Sequence, residues 1–301
     1  MHPDEDDANP DFFRANRALV PTASAKQIGE LLEDTAMKFR RIRPLDGVPE
    51  LDLSVVGIGA VKFGRIRNLK YPIEPQAIPS DEEVWSVLET GRTAGVNWID
   101  SAVAYEAANQ RLGELLGGRD SHWKICTKIG ERHGETGSRY DFTRASLEQD
   151  VSRSLYELKR SRFDLLLLHL PGGGEERKAF EKGIRMLLEM RRQGIATRIG
   201  ASLHDPEFVH EVLEMVDVVM LDVNLRLAGQ QEYLRGLPAG SVIGKKPLGS
   251  GHLIQPASGF SLTELLQYPL QFESVGAVAI GTTSAKHLED CLAAVEQCAE
   301  R

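Results

Sequence analysis

Short apolar runs recur along this chain from residue 53 onward, and each is followed by a stretch whose apolar residues repeat at helical spacing. The runs are "LSVVGIG" (53–59), "VNWIDSA" (96–102), "WKICTKI" (123–129), "FDLLLLHL" (163–170), "ATRIGAS" (196–202), "VDVVMLDV" (216–223), "SVIGKKP" (241–247) and "VGAVAIG" (275–281). Several are unbroken apolar blocks, the pattern of parallel strands buried on both faces. Helices are predicted to begin near Ser80–Asp81, Glu106, Thr143, Glu175, Asp205, Ala228, Ser261 and Ser284. "SDEEVWSVLETGRTAG" illustrates them. Ser80 is placed to cap, Glu83 completes a capping box, and Val84, Val87 and Leu88 form the stripe. Gly95 then ends the helix at low cost, because glycine tolerates positive φ.

Eight strand–helix pairs in about 250 residues predict an α/β chain closed into a (β/α)8 TIM barrel. A doubly wound sheet is disfavoured: "GIGAVKFG" lacks the GxGxxG spacing, and no acidic residue closes a second strand about 20 residues later. Upstream, residues 1–23 open on "MHPDEDDANPD", acidic and with two prolines, and are expected to form a loosely held tail. The stretch "SAKQIGELLEDTAMKFRRI" predicts an outer helix capped by Ser24, with Ile28, Leu31, Leu32, Met37 and Phe39 as its apolar positions. Residues 24–301 are thus expected to form one barrel domain that includes this helix.

Charge and cysteine content narrow the picture. A formal charge of −8 and a pI of about 5.6 argue against a general nucleic-acid or anionic-membrane binder. No apolar run approaches the roughly 18 residues of a spanning helix, and the N-terminus has no secretory apolar core. The cysteines, Cys126, Cys291 and Cys298, fit no disulfide or zinc spacing, so the expected location is a reducing cytoplasm. The histidines show no ligand-like convergence, and no metal is expected.

Active sites of such barrels lie at the strand C-terminal ends. Those ends carry Asp100 on the second strand, Lys128 on the third and His169 on the fourth, while Tyr105 opens the loop after the second. Singly, each has a bland role as a helix cap, a solvated strand end, a buried imidazole or a core aromatic. Together, on three consecutive strand ends, they point to one site. The loop "VKFGRIRNLKYPIEPQAIPS" (61–80) should overhang it, bringing Lys62, Arg65, Arg67 and Lys70. "GERHGETGSRYDF" (130–142) and "LPGGGEERK" (170–178) should border it. Cys126 reads as a buried apolar position rather than a nucleophile.

Through "WIDSAVAY" with "RLGELLGG", then "ICTKIG", then "DLLLLHLP", the chain resembles the aldo-keto reductases over roughly residues 40–300. Within that family it looks closest to bacterial members with a "KYP" loop after the first strand and a "KK" before the seventh loop. The resemblance implies that Asp100, Tyr105, Lys128 and His169 form a catalytic tetrad. Tyr105 would deliver the proton, Lys128 would lower its pKa, Asp100 would hold the lysine, and His169 would orient the carbonyl. It implies NADPH, rather than NADH, as cofactor. Gly59, Gly281 and "PLGSG" (Leu248, Gly249, Ser250) would lie along it, while Thr282, Lys286 and His287 of "IGTTSAKHLED" would meet the adenosine phosphate.

Three positions depart from the family. The resemblance places Ser202, Met220 and Lys245 at the nicotinamide. The family's serine–asparagine pair is Ser202–Leu203 here and the glutamine of the sixth strand is Met220, so both amides that would hold the carboxamide are absent. The stacking aromatic of the seventh strand is Lys245. The expected function is NADPH-dependent reduction of a small aldehyde or ketone, or the reverse oxidation of an alcohol. The departures motivate an alternative in which the same tetrad runs a dehydratase, isomerase or lyase step without cofactor. A third reading is a non-catalytic nucleotide-sensing subunit. Neither nucleic acid nor membrane is expected as a partner, and the oligomeric state is left open.

Overall fold

The computed structural model describes residues 37–297 apart from 70, 73–76 and 119. The predicted acidic tail, most of the outer helix, Lys70 and Cys298 lie outside the described residues. A closed barrel of eight parallel strands dominates the rest. In barrel order these are β3 (Val56–Gly59), β4 (Trp98–Asp100), β5 (Lys124–Ile129), β8 (Phe163–His169), β9 (Ala196–Ser202), β10 (Val218–Asp222), β11 (Val242–Lys245) and β12 (Val275–Gly281), which pairs back onto β3. Two small antiparallel ribbons accompany it: β1 (Phe39–Arg41) with β2 (Asp52–Ser54), and β6 (Glu131–Gly134) with β7 (Gly137–Tyr140).

The described helices are α1 (Val61–Gly64), α2 (Asp81–Thr93), α3 (Ala108–Leu116), α4 (Arg144–Glu157), α5 (Glu176–Arg192), α6 (Val209–Leu213), α7 (Leu262–Leu270) and α8 (Ala285–Gln297). α2 begins at the expected capping box between Ser80 and Glu83, buries Val84, Val87 and Leu88, and is followed by Gly95 at φ +83°. Among the described residues no helix is long and apolar enough to cross a membrane.

Side chains of successive strand residues point to opposite faces, and the barrel sorts them accordingly. One apolar set, including Ile58, Ile99, Ile125, Leu166 and Leu168, packs outward with the helices. The other fills the interior: Trp98, Cys126, Leu165, Leu167, Val218, Met220, Ile243, Ala277 and Ala279. Ile42, Leu51 and Leu53 join this inner set from beside the β1–β2 ribbon. The Trp98 indole needs the space beside β3, since a Cβ on Gly57 would lie 2.0 Å from its ring.

Three expectations require correction. The end of the predicted outer helix is strand: Phe39–Arg41 pair with Asp52–Ser54, and Arg40 donates to the carbonyl oxygens of Val275 and Leu270. The run 53–59 is not one strand. It bends at Val55, where Ser54 Oγ donates to Val56 O and Trp98 Nε1 donates to Ser54 O. No α-helix starts near Ala228; 3-10 turns span Leu225–Gln230 and Glu232–Gly236. Gly229 and Gly236 leave six residues between them, too few for a helix to repay its nucleation. The segment is held instead by local bonds such as Gln231 Nε2 to Asp222 O.

Candidate active site

The inward alternation that packs the barrel also builds its polar end. Asp100 follows Trp98 by two residues, Lys128 follows Cys126, His169 follows Leu167, and Lys245 follows Ile243, so all four continue inward-facing rows. Around them opens a cavity of about 800 Å³. Its lining includes Asp100, Tyr105, Lys128 and His169, so the structure brings the four predicted residues together.

Lys128 is 1% exposed and uses its ammonium three ways. It donates to Asp100 Oδ1 at 2.5 Å, to Ser101 O at 3.0 Å and to the Tyr105 hydroxyl at 3.1 Å. The phenol in turn donates to Asp100 Oδ2 over a longer 3.4 Å. Tyr105 ends a 3-10 turn, Val103–Tyr105, after which Glu106 takes φ +54°. Glu106 is tied by its Oε1 to His133 Nδ1 of β6 at 2.7 Å, which pins the chain just beyond the tyrosine. The His169 ring meets Tyr105 edge-on, with centroids 6.3 Å apart.

Burial alone would drive the Lys128 pKa down, but the Asp100 carboxylate and Tyr105 outweigh it and raise the ammonium above the ordinary lysine value. For Tyr105 the lysine acts in the expected direction, but other groups outweigh it. Burial pushes its hydroxyl up, Lys128 pulls it down, and Asp100 sides with burial, so the phenol ends above its ordinary value. A phenolate there would be desolvated beside a carboxylate, and one shared ammonium does not offset both.

Of the predicted cofactor-binding residues, Gly59, Ser202, Met220, Lys245, Leu248, Ser250, Gly281 and His287 line the cavity. Gly249, Thr282 and Lys286 do not appear in its lining. Gly249 is buried, and Thr282 Oγ1 accepts from Ser284 N at the start of α8 and contacts His287 Nδ1 at 3.0 Å. Lys286 points away, exposed and paired with Asp290 at 2.7 Å. Cys126 is buried, as expected.

The opposite wall carries a second lysine cluster. Lys245 Nζ donates to Ser202 Oγ at 3.0 Å and Leu203 O at 3.1 Å, and stands 3.7 Å from Asp222 Oδ1. Lys246 binds the other oxygen of that carboxylate at 2.8 Å. Burial lowers the Lys245 pKa to about 8 despite Asp222. Lys245, with burial, depresses neighbouring His204 to about 3.

Glu131 was not singled out among the sequence candidates, although it falls in a stretch expected to border the site. Its Oε2 lies 2.7 Å from His169 Nδ1, and Ser138 Oγ donates to its Oε1. A carboxylate three residues beyond Lys128, directly after the strand, was the available signal. Lys62 also lines the cavity, its Nζ 3.9 Å from the Tyr71 ring centroid.

The residues suit a dinucleotide. A Cβ at Gly59 would approach Gly281 N to 3.3 Å, so the two strand ends form a close backbone floor. Lys62 and His287 line the same cavity near the start of α8 and are close enough for the Lys62 charge to depress His287 together with burial. The Lys62 ammonium and a neutral His287 ring able to donate a hydrogen bond, beside a helix N-terminus, suit a phosphate.

Comparison with known proteins decides the lineage. The model of the aldo/keto reductase family matches residues 56–253. The chain belongs to the aldo/keto reductase family. Members of that family are oxidoreductases that use NAD(P)H. Among solved structures, PA4992 of Pseudomonas aeruginosa, assigned to the aldo-keto reductases, is 30% identical. It superposes with a TM-score of 0.74 over 89% of this chain and 98% of its own. Among curated proteins, the uncharacterized oxidoreductase YqkF of Bacillus subtilis is 25% identical over 217 residues, 69% of this chain and 65% of YqkF. The match to D-threo-aldose 1-dehydrogenase of a Pseudomonas species is also 25% identical, over 65% of this chain and 64% of that protein. Just under two thirds of each of these two relatives is therefore spanned.

Proposed function

We propose that this aldo/keto reductase is a cytoplasmic, NADPH-dependent oxidoreductase that reduces a small aldehyde or ketone, or oxidises the corresponding alcohol. The observation that carries the reading is the three-way bonding of Lys128 to Asp100, Ser101 O and the Tyr105 hydroxyl, inside a cavity floored by Gly59 and Gly281. Leu248, Ser250 and His287, with Lys62, are proposed to hold the phosphates, and Ser202, Met220 and Lys245 the nicotinamide end. When bound, the cofactor supplies the hydride. The Lys62 charge, with a hydrogen bond from neutral His287, favours NADPH over NADH, while Lys286, directed to solvent, contributes nothing to that choice.

In reduction, Tyr105 transfers its phenolic proton to the substrate oxygen. The alkoxide formed by hydride addition is a far stronger base than a phenolate, so a phenol with a raised pKa remains a competent donor. Lys128 stabilises the phenolate left behind, and its fixed contact with Asp100 keeps the ammonium charged and in place. The resident bond from Tyr105 to Asp100, at 3.4 Å, is weak enough to be exchanged for one to substrate.

A cofactor-independent reaction with the same tetrad is the second reading. It is favoured by one observation, the Lys245 ammonium and its Ser202 and Leu203 contacts where the family places an aromatic ring. Both readings meet one assay: NADPH consumption by purified protein against small aldehydes and ketones. The expected result is turnover that falls roughly 10²–10⁴-fold in Tyr105→Phe, with NADPH affinity unchanged. Unchanged turnover in that variant would overturn the assignment of Tyr105.

A further inference from the structure

We propose that Glu131 is a positioning residue that sets the protonation of His169, holding a proton on Nδ1 so that the ring can donate a hydrogen bond to the substrate oxygen only as imidazolium. The inference rests on the reductase reading and deepens it. Glu131 is buried at the start of β6, and its Oε2 lies 2.7 Å from His169 Nδ1. Nδ1 is buried and makes no hydrogen bond of good geometry among the described residues, so this carboxylate is the group set against it. A carboxylate this close to an unprotonated ring nitrogen would set two acceptors against each other with no water between them. With Glu131 ionised, the proton of the pair is therefore placed on Nδ1.

The carboxylate is secured from its far side. Ser138 donates to Oε1, and Arg65 adds favourable charge. Burial raises the Glu131 pKa, but His169, Ser138 and Arg65 together bring it down to about 2. Tyr140 of β7 senses the same charge: burial and Glu131 push its hydroxyl up to about 12.

With Nδ1 buried against Glu131, the part of the ring that reaches the cavity is the opposite edge, bearing Nε2. The neutral ring has its single proton on Nδ1, leaving Nε2 as an acceptor. Only the imidazolium offers an Nε2–H to a carbonyl oxygen. The charged groups facing the ring divide: Glu131 of β6 favours the imidazolium, whereas Lys128 of β5 and Lys245 of β11 oppose it. Tyr105 lies edge-on, and His204, beyond β9, feels the His169 charge. Burial comes first and lowers the His169 pKa, with Glu131 resisting.

The test is histidine ¹⁵N spectroscopy over a pH series, with the His169 signal assigned by its loss in His169→Asn. The expected result is an Nδ1–H tautomer for neutral His169, and a pKa lower by about one unit or more in Glu131→Gln, because a charge in direct contact is removed. Glutamine preserves the shape and the Ser138 bond, and Glu131→Asp should restore part of the shift. Reduction rate should fall as pH rises through the His169 pKa, and that limb should move to lower pH in Glu131→Gln. An Nε2–H tautomer in the wild type, or an unchanged His169 pKa in Glu131→Gln, would overturn the proposal. Because the spectra need no cofactor, failure of the reductase reading would appear separately, as absent NADPH turnover.

Discussion

Two lysines stand on inward rows at the same end of the barrel, and their surroundings drive them apart. Lys128 is fully buried, and Lys245 is partly buried in the cavity wall. Lys128 has Asp100 at 2.5 Å and ends above the ordinary lysine pKa, whereas Lys245 has a carboxylate at 3.7 Å, shared with Lys246, and falls to about 8. Desolvation penalises the ammonium at both sites. What separates them is the distance and exclusivity of the carboxylate. The proposed catalytic corner is thus electrostatically settled, and the opposite wall is poised to change charge near neutral pH.

Removing each partner sharpens the contrast. Asp100→Asn leaves Lys128 buried without its carboxylate, and stability should fall by about 3–5 kcal/mol, the cost of a broken buried pair. Denaturant titration at neutral pH measures it; a loss below about 1 kcal/mol would mean that Asp100 does not set the Lys128 charge. For Lys245 the sign runs the other way. Its folded pKa of about 8 lies below the roughly 10.4 of an unfolded lysine, so the unfolded chain binds the extra proton between those values. The cost of burying Lys245 is complete below pH 8 and fades as pH rises toward about 10.4. Relative to Lys245→Met, the wild type should gain on the order of 2 kcal/mol across that window. A stability difference flat from pH 7 to 10 would refute the lowered pKa. The smallest effect is expected from Asp222→Asn, which removes only a distant, shared charge. It should lower the Lys245 pKa further, by about one unit, read from the pH dependence of amine labelling.

What was legible in the sequence follows the same physics. Barrel strands such as Phe163–His169 and Ala196–Ser202 announce themselves because burial on both faces demands unbroken apolar runs. Asp100, Lys128 and His169 stood out because charged residues ending such runs are rare. Residues 225–236 misled because two glycines undid an otherwise helical pattern, and Phe39–Arg41 because a three-residue edge strand has too little periodicity to announce itself. The net pKa of Tyr105 was not readable, since it depends on burial and on which oxygen of Asp100 faces the phenol. Glu131 was hidden for a related reason: only the folding back of the β6–β7 ribbon sets it against His169, 38 positions away in the chain.

We propose that one cavity joins the Asp100–Tyr105–Lys128–His169 group to a site for NADPH. Calorimetric titration of the purified wild-type protein with NADPH tests it most directly. Charged hydrogen bonds to phosphate contribute roughly 1.5–3 kcal/mol each, enough to offset two absent neutral amide contacts at the nicotinamide. The expected dissociation constant is in the micromolar range, with NADH binding more weakly. Absence of binding at about 1 mM NADPH, which leaves less than about 4 kcal/mol of affinity, would contradict it.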